Sequence, residues 1–376
     1  YVRPMLPVRK SFTTDNSLIV CRNLVVCVIF FTVSPLIADE STETYLNNLS
    51  AAIQLSESAK QATQLRNYKI AADDLQAAIK LLDGYVENSS NDFYPSLFCK
   101  LGKVRIEQGL WPAAENALVR CLRLVDHINE SQLRAVALAD LGQNAFKKGE
   151  LDKAKSYLNK AIELATKNGD LSTQAFAHLW LGAISALRGN FEHAETKLLE
   201  AVAIAKKAND PSTEGRARNI LGENSRLHGQ YDNAIRHYQE ALAIYQSINE
   251  RFGMTMVIHN LGHVRTMMGD TETALQHYDE SLRMAIDIQA IPAALEILAA
   301  LAGIATDRED FDQALDLLGV VFAHPASPKE ALHMFAEPLL ARLQNKLPAD
   351  TVEAGLARGG ALNFDELVKR LLDKQK

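Results

Sequence analysis

A Leu-Gly pair returns every forty residues without insertion, at Leu101-Gly102, Leu141-Gly142, Leu181-Gly182, Leu221-Gly222 and Leu261-Gly262. A second glycine follows each pair seven residues on, at Gly109, Gly149, Gly189, Gly229 and Gly269. An alanine stands five further along, at Ala114, Ala154, Ala194, Ala234 and Ala274. Ten of the 19 glycines therefore share one register, which composition alone does not produce. A period of this length marks an array of stacked units, each contacting only its neighbours. Within the third copy, Phe176, Leu179, Leu181 and Ile184 are followed by Phe191, Ala194, Leu198, Ala201, Val202 and Ala205. Both runs recur at three and four residues, the period of an amphipathic helix. The spacing predicts helices over 172–188 and 191–208 with Gly189-Asn190 between them. Asp210-Pro211 then opens the next helix as cap and first helical residue, and Pro292 is read as starting a sixth unit in the same way.

The recurring small residues have a steric reason. Glycine inside a helix costs about 1 kcal/mol against alanine, so five such glycines imply close helix approach. The second glycine ends the first helix of each pair, where a positive φ is cheap only for glycine. The alanine lets the second helix pack back tightly. A large residue plugs the start of that helix at Trp111, Leu151, Phe191, Tyr231 and Phe311; Thr271 breaks the pattern, so looser packing is expected there.

These residues resemble the tetratricopeptide repeat, which places Leu-Gly in its first helix and an aromatic residue followed by Ala in its second. A further small residue comes seven positions later, here Cys121, Ala161, Ala201, Ala241 and Ser281. Two features depart from that family: the period is forty, not about 34, and the proline that closes the second helix is missing. Longer helices and an altered superhelical pitch are expected. The resemblance implies an all-α fold, a right-handed superhelical α-solenoid of helix hairpins over 92–323. A degenerate helical unit, 41–91, precedes it and a C-terminal helical cap, 324–376, follows. The array's end together with His324-Pro-Ala-Ser-Pro328 and the run Gly359–Leu367 resembles the sensor region of STAND-class signalling ATPases. In the tail, helices are read over about 329–346 and after Gly359-Gly360. That likeness implies effector sensing and not ATP hydrolysis, since the chain has no GxxxxGK[ST] loop.

Residues 1–40 form a leader. Basic residues precede the uncharged stretch 23–38, and Leu36-Ile37-Ala38 is followed by acids. These are the parts of a secretory signal peptide, too short for a comfortable membrane span. Periplasmic, secreted or membrane-anchored placement is expected, with membrane contact only through an uncleaved leader. The other reading is a buried helix of an upstream domain in a cytoplasmic protein. Net charge is −6, which argues against nucleic acid as a partner. Cys99 and Cys121, without a CxxC or His-x-His companion, are read as buried small hydrophobes.

No catalytic, cofactor or metal constellation emerges. His259 and His263 share a helix face but lack the glutamate of His-Glu-x-x-His and a third ligand. His237 and His277 repeat one register. No nucleophile elbow occurs. What can carry function is the concave wall of first helices, predicted to present positions five and two before each Leu, and two and five after it. A partner groove is accordingly expected at Phe176, Leu179, Arg216, Asn219, Glu223, Arg226, Met256, His259, His263 and Thr266. An apolar patch in units two and three adjoins a polar one in units four and five, which suits a protein or peptide partner. The expected role is a non-catalytic scaffold, or else the effector-sensing C-terminal segment of a multidomain STAND-type regulator.

Overall fold

The structure, a computed structural model, describes residues 40–84, 92–128, 130–327 and 332–373. All of the leader, 1–40, except its last residue, and most of the polar break after Gly84 lie outside these residues. The chain divides into two compact units, 1–108 and 109–376. All regular elements among the described residues are helices, and none is long and apolar enough to cross a membrane.

The first unit contains α1 (Glu40–Gln64), α2 (Tyr68–Leu82) and α3 (Phe93–Glu107). Helices α1 and α2 pack as a hairpin. Asn67 caps α2 by accepting from the Ile70 amide, and Lys100 of α3 donates to Ser56 of α1 at 2.9 Å.

The second unit opens with α4 (Trp111–Ile128) and continues as five helix pairs. These are α5 (Ser131–Lys147) with α6 (Leu151–Asn168), α7 (Leu171–Leu187) with α8 (Phe191–Lys207), and α9 (Pro211–Leu227) with α10 (Tyr231–Ser247). Then come α11 (Arg251–Met267) with α12 (Thr271–Asp287), and α13 (Ile291–Asp307) with α14 (Phe311–Ala323). The helices predicted over 172–188 and 191–208 are found within one residue at each end. Helices of 17 or 18 residues are the result of the long period. Acidic side chains cap α5, α7, α9 and α11: Asp170 accepts from the Thr173 amide, and Asp210 from that of Thr213 at 3.0 Å. Pro211 starts α9 as expected, whereas Pro292 is the second residue of α13, behind an Ala290 cap.

The Leu-Gly glycine answers to space. A Cβ on Gly182 would lie 2.5 Å from Leu198 Cγ, and one on Gly222 2.5 Å from the Tyr238 ring. The second glycine answers to conformation: Gly149, Gly189, Gly229 and Gly269 have φ of +73 to +79° with nothing near the absent Cβ. The pair α13–α14 has no such glycine, and Glu309 takes the left-handed turn at φ 61°. A side chain there costs about 1–2 kcal/mol. Glu309→Gly is therefore expected to raise stability by about 1 kcal/mol, read as a higher urea midpoint; an unchanged or lower midpoint contradicts it. Thr271 is partly buried like its counterparts, and α12 is held at its start by Asp270, which accepts from the Thr273 amide at 3.2 Å.

Pairs are also joined by buried asparagines. Asn144 donates to the Trp111 carbonyl at 3.2 Å and Asn224 to that of Phe191 at 3.1 Å. Units three, five and six place Ile184, Val264 and Ile304 at the corresponding position, all buried.

The tail caps the array as anticipated, with different elements. A π-helical turn (Leu332–Ala336) leads into α15 (Glu337–Gln344), followed by α16 (Ala349–Gly360) and α17 (Phe364–Asp373). The expected helix over 329–346 is thus shorter and part π, and α16 was not foreseen. It crosses α14 on glycines: a Cβ on Gly319 would lie 2.7 Å from Gly359 Cα, and one on Gly355 2.6 Å from Leu315. Leu339, Leu343, Val352, Leu367 and Val368 close one core with Leu298, Leu315 and Leu318. Arg358 pairs with Asp312 and Asp316, and Arg342 with Asp307. The reading of Cys99 and Cys121 as free hydrophobes is corrected: both are buried, and both are disulfide-bonded.

Candidate functional site

Each odd-numbered helix of the second unit also meets the next odd-numbered helix: α5 meets α7, α7 meets α9, α9 meets α11 and α11 meets α13. These helices therefore line one continuous wall, and their partly exposed face is the candidate site.

An aromatic patch occupies α5 and α7. Phe146 lies against Trp180 with ring centroids 4.9 Å apart, and Phe176 meets Trp180 edge-on at 6.1 Å. Arg216 of α9 lays its guanidinium over both Phe176 and Trp180, 5.5 Å from each centroid. Lys147 approaches the Trp180 ring at 5.9 Å. The indole Nε1 of Trp180 is buried without a hydrogen-bond partner.

A polar network occupies α9 and α11. Asn260 donates to Asn219 at 3.0 Å. Arg226 grips Glu223, Nε to Oε2 at 2.9 Å, and Tyr238 donates its hydroxyl to the same carboxylate at 3.0 Å. Burial pushes the Glu223 pKa up, but the hydrogen bonds and charge of Arg226 and the Tyr238 hydroxyl outweigh it, so the net shift is downward. His259 and His263 touch edge-on, centroids 4.5 Å apart, and both meet Tyr278 at 5.7 Å. Burial, and then the neighbouring Arg226 charge, drive His263 down to about 4. Burial, His263 and Arg226 hold His259 well below its ordinary value, and its Nε2 has no hydrogen-bond partner. Both rings are thus neutral at pH 7. Thr266 donates back to the Gly262 carbonyl at 3.0 Å and stands 3.3 Å from the Tyr278 hydroxyl.

The structure brings most of the predicted residues together, with corrections. Leu179 is fully buried in the core with Leu181, Ala217 and Leu221, so it supports the wall and cannot reach a partner. His259 is nearly enclosed at 5% exposure, and Met256 packs onto the last core. Sequence reasoning missed Trp180 and Asn260, one residue before the leucine, because only the positions five and two before and two and five after it were counted as inward. It also missed Phe335 of the tail, which stacks on His263 at 5.7 Å and 24°. A third omission is the row six residues after each leucine, where Leu187, Leu227 and Met267 are 61, 46 and 48% exposed. Arg226 Nη1 contacts Met267 Sδ at 3.4 Å, which ties that row to the polar network. Among the described residues no three His, Cys, Asp or Glu side chains are grouped to hold a metal.

Residues 145–320 match the family described as the MalT-like TPR region, and residues 94–167 match the tetratricopeptide repeat. No curated protein sequence matches the chain. Among solved structures, a Rap protein complexed with competence and sporulation factor superposes with a TM-score of 0.65 at 13% identity, over 94% of this chain and 93% of that one. The apo form of RapI gives 0.54 at 13% identity, over 78% and 99%. A STAND protein with a tetratricopeptide repeat sensor from Pyrococcus horikoshii gives 0.50 at 16% identity; 90% of this chain spans 55% of that one. At such identities the likeness is one of fold. The two family matches together run from residue 94 to 320 through the helix pairs described above, and the chain belongs to the tetratricopeptide-repeat family.

Proposed function

We propose that this chain is a non-catalytic scaffold that holds a peptide segment of a partner protein along the wall of α5, α7, α9 and α11. The observation that supports this reading is one unbroken strip of partly exposed side chains. It runs from Phe146 and Phe176, backed by the buried Trp180, through Arg216, Asn219 and Asn260 to Glu223 and His263, with the exposed row Leu187, Leu227 and Met267 beside it. Aromatic anchors, fixed polar groups and an apolar edge are what peptide recognition uses. The Rap structure, complexed with competence and sporulation factor, fits the same idea.

A second reading, an effector-sensing segment of a larger regulator, draws on the STAND neighbour and on one contact. Phe335 on His263 ties the strip to the C-terminal cap, so that occupancy would be felt there. Under either reading the disulfide-bonded Cys99 and Cys121, together with the leader, favour an oxidising compartment outside the cytosol.

Selection of a displayed library of random twelve-residue peptides on the full chain tests the groove. Peptides are expected that bind the wild type and lose at least tenfold on Leu227→Glu/Met267→Glu, a variant altered only on exposed side chains. Binders indifferent to that variant would place recognition elsewhere.

A further inference from the structure

Charge accounting along the wall leaves two cations, Arg216 and Lys147, without a carboxylate among the described residues. Helix α7 contains no Asp or Glu. Helix α9 carries three arginines and two glutamates. Glu214 is held by Arg218 at 3.0 Å and Glu223 by Arg226, so both carboxylates are engaged. Arg216 is the third arginine, and no carboxylate or hydrogen-bond acceptor meets it among the described residues. Instead it rests on the faces of Phe176 and Trp180, 5.5 Å from each. Lys147, the next cation along the wall, likewise touches only the Trp180 ring. The acid on α5, Asp140, is buried. A guanidinium held over two rings with no acceptor keeps its N–H donors available, and such donors receive a carboxylate in two parallel hydrogen bonds.

The same helix face continues to the exposed apolar row. Phe176 and Leu187, Arg216 and Leu227, and Met256 and Met267 are each eleven residues apart. Eleven residues are three helical turns to within about 20°, and about 16 Å along the axis. Helices α7 and α9 therefore offer an aromatic or charged position at one rim and an apolar one at the other, and α11 is apolar at both. An extended peptide covers that span in about five residues. The strip continues past Arg216 on both sides, toward Phe146 on α5 and toward Asn219 and Asn260 on α9 and α11, so a bound chain has wall to follow in either direction.

Building on the scaffold reading above, we propose that Arg216 is the anchor for the side-chain carboxylate of an internal Asp or Glu in the partner peptide. Apolar residues about five positions away then seat on Leu187 and Leu227. The occupant is an acidic, amphipathic segment of a protein, complementary to an unpaired cation in an otherwise acidic chain.

The test uses the full chain and two libraries, one fused at both peptide ends and one with free C-termini, panned on the wild type, Arg216→Gln and Leu227→Glu. Circular dichroism confirms equal helicity. In the fused library, acids are expected to be enriched about five residues from an apolar position. The selected peptides should weaken about tenfold on Arg216→Gln. Changing the peptide's acid to its amide should cost the same on the wild type and little further on Arg216→Gln, as an interacting pair requires. Peptides that need Leu227 but bind Arg216→Gln unchanged overturn the anchor and leave the groove standing. Enrichment of acids only at free C-termini overturns the internal carboxylate. Peptides indifferent to both variants, or none enriched at all, overturn the groove and the anchor together.

Discussion

Replacing Gly359 by valine is expected to unseat the C-terminal cap. A Cβ on this glycine would press on the Asp316 carbonyl oxygen and lie 2.8 Å from Asp316 Cα and from the Leu315 carbonyl oxygen. Those are backbone atoms of α14, so no rotamer change relieves the clash. Overpacking a core costs about 1–3 kcal/mol where side chains can yield, and more is expected where they cannot. Here α16 must lift from α14 and take with it the Arg358 pairs and the burial of Val352. The loss should reach at least about 3 kcal/mol for the C-terminal part of the array. Hydrogen exchange is the measurement of choice, because a solenoid opens locally. Amides of α14 should lose protection while those of α7 keep theirs. Gly360→Ala is the control: its nearest neighbour is Ala323 Cβ at 3.4 Å, so it should change protection little. Equal behaviour of the two variants would refute the backbone-contact account.

The second large effect is loss of stability in acid. His263 titrates at about 4 in the fold, driven down by burial and then by Arg226. An unfolded histidine titrates near 6.5. The unfolded chain therefore binds more protons between those values, and stability falls as pH drops below 6.5, levelling off below about 4. Between pH 7 and 5 this one ring accounts for roughly 2 kcal/mol. His259 is shifted in the same direction, again chiefly by burial, and so are His178, His237 and His277. Glu223, whose pKa lies below the usual carboxylate range, adds a loss of the same sign at lower pH. Urea midpoints measured at pH 7 and pH 5 should show the drop, and His263→Leu should lessen it. A drop of undiminished size in that variant would assign the acid sensitivity to other groups.

The sequence made the helix pairs legible because their period is enforced twice. Gly182 and Gly222 must leave room for Leu198 and Tyr238, while Gly189 and Gly229 must take a positive φ. Two physical demands in one register leave little freedom in the boundaries. The tail offered no such register. Gly355, Gly359 and Gly360 read as helix breakers by propensity, yet α16 is helical because those glycines are where it crosses another backbone. At the wall, the structure gathers the polar residues Glu223, Arg226 and His263 into one network. Leu179 lies in the core instead, because inward-facing positions on α7 are sealed against α9 when both are apolar. The disulfide state of Cys99 and Cys121 was beyond reach, since a separation of 22 residues says nothing of distance in space.

The buried asparagines give the array a second rhythm. Asn144 and Asn224 each reach back to the first carbonyl of the preceding outer helix, and the intervening Ile184 makes no such bond. From unit two to unit five, neighbouring repeats therefore alternate at their seams and are not interchangeable there. Excising eighty residues would rejoin like with like, whereas excising forty would set an amide where a branched hydrocarbon belongs. For anyone shortening or lengthening this protein, and for any duplication in its past, the natural building block is two repeats.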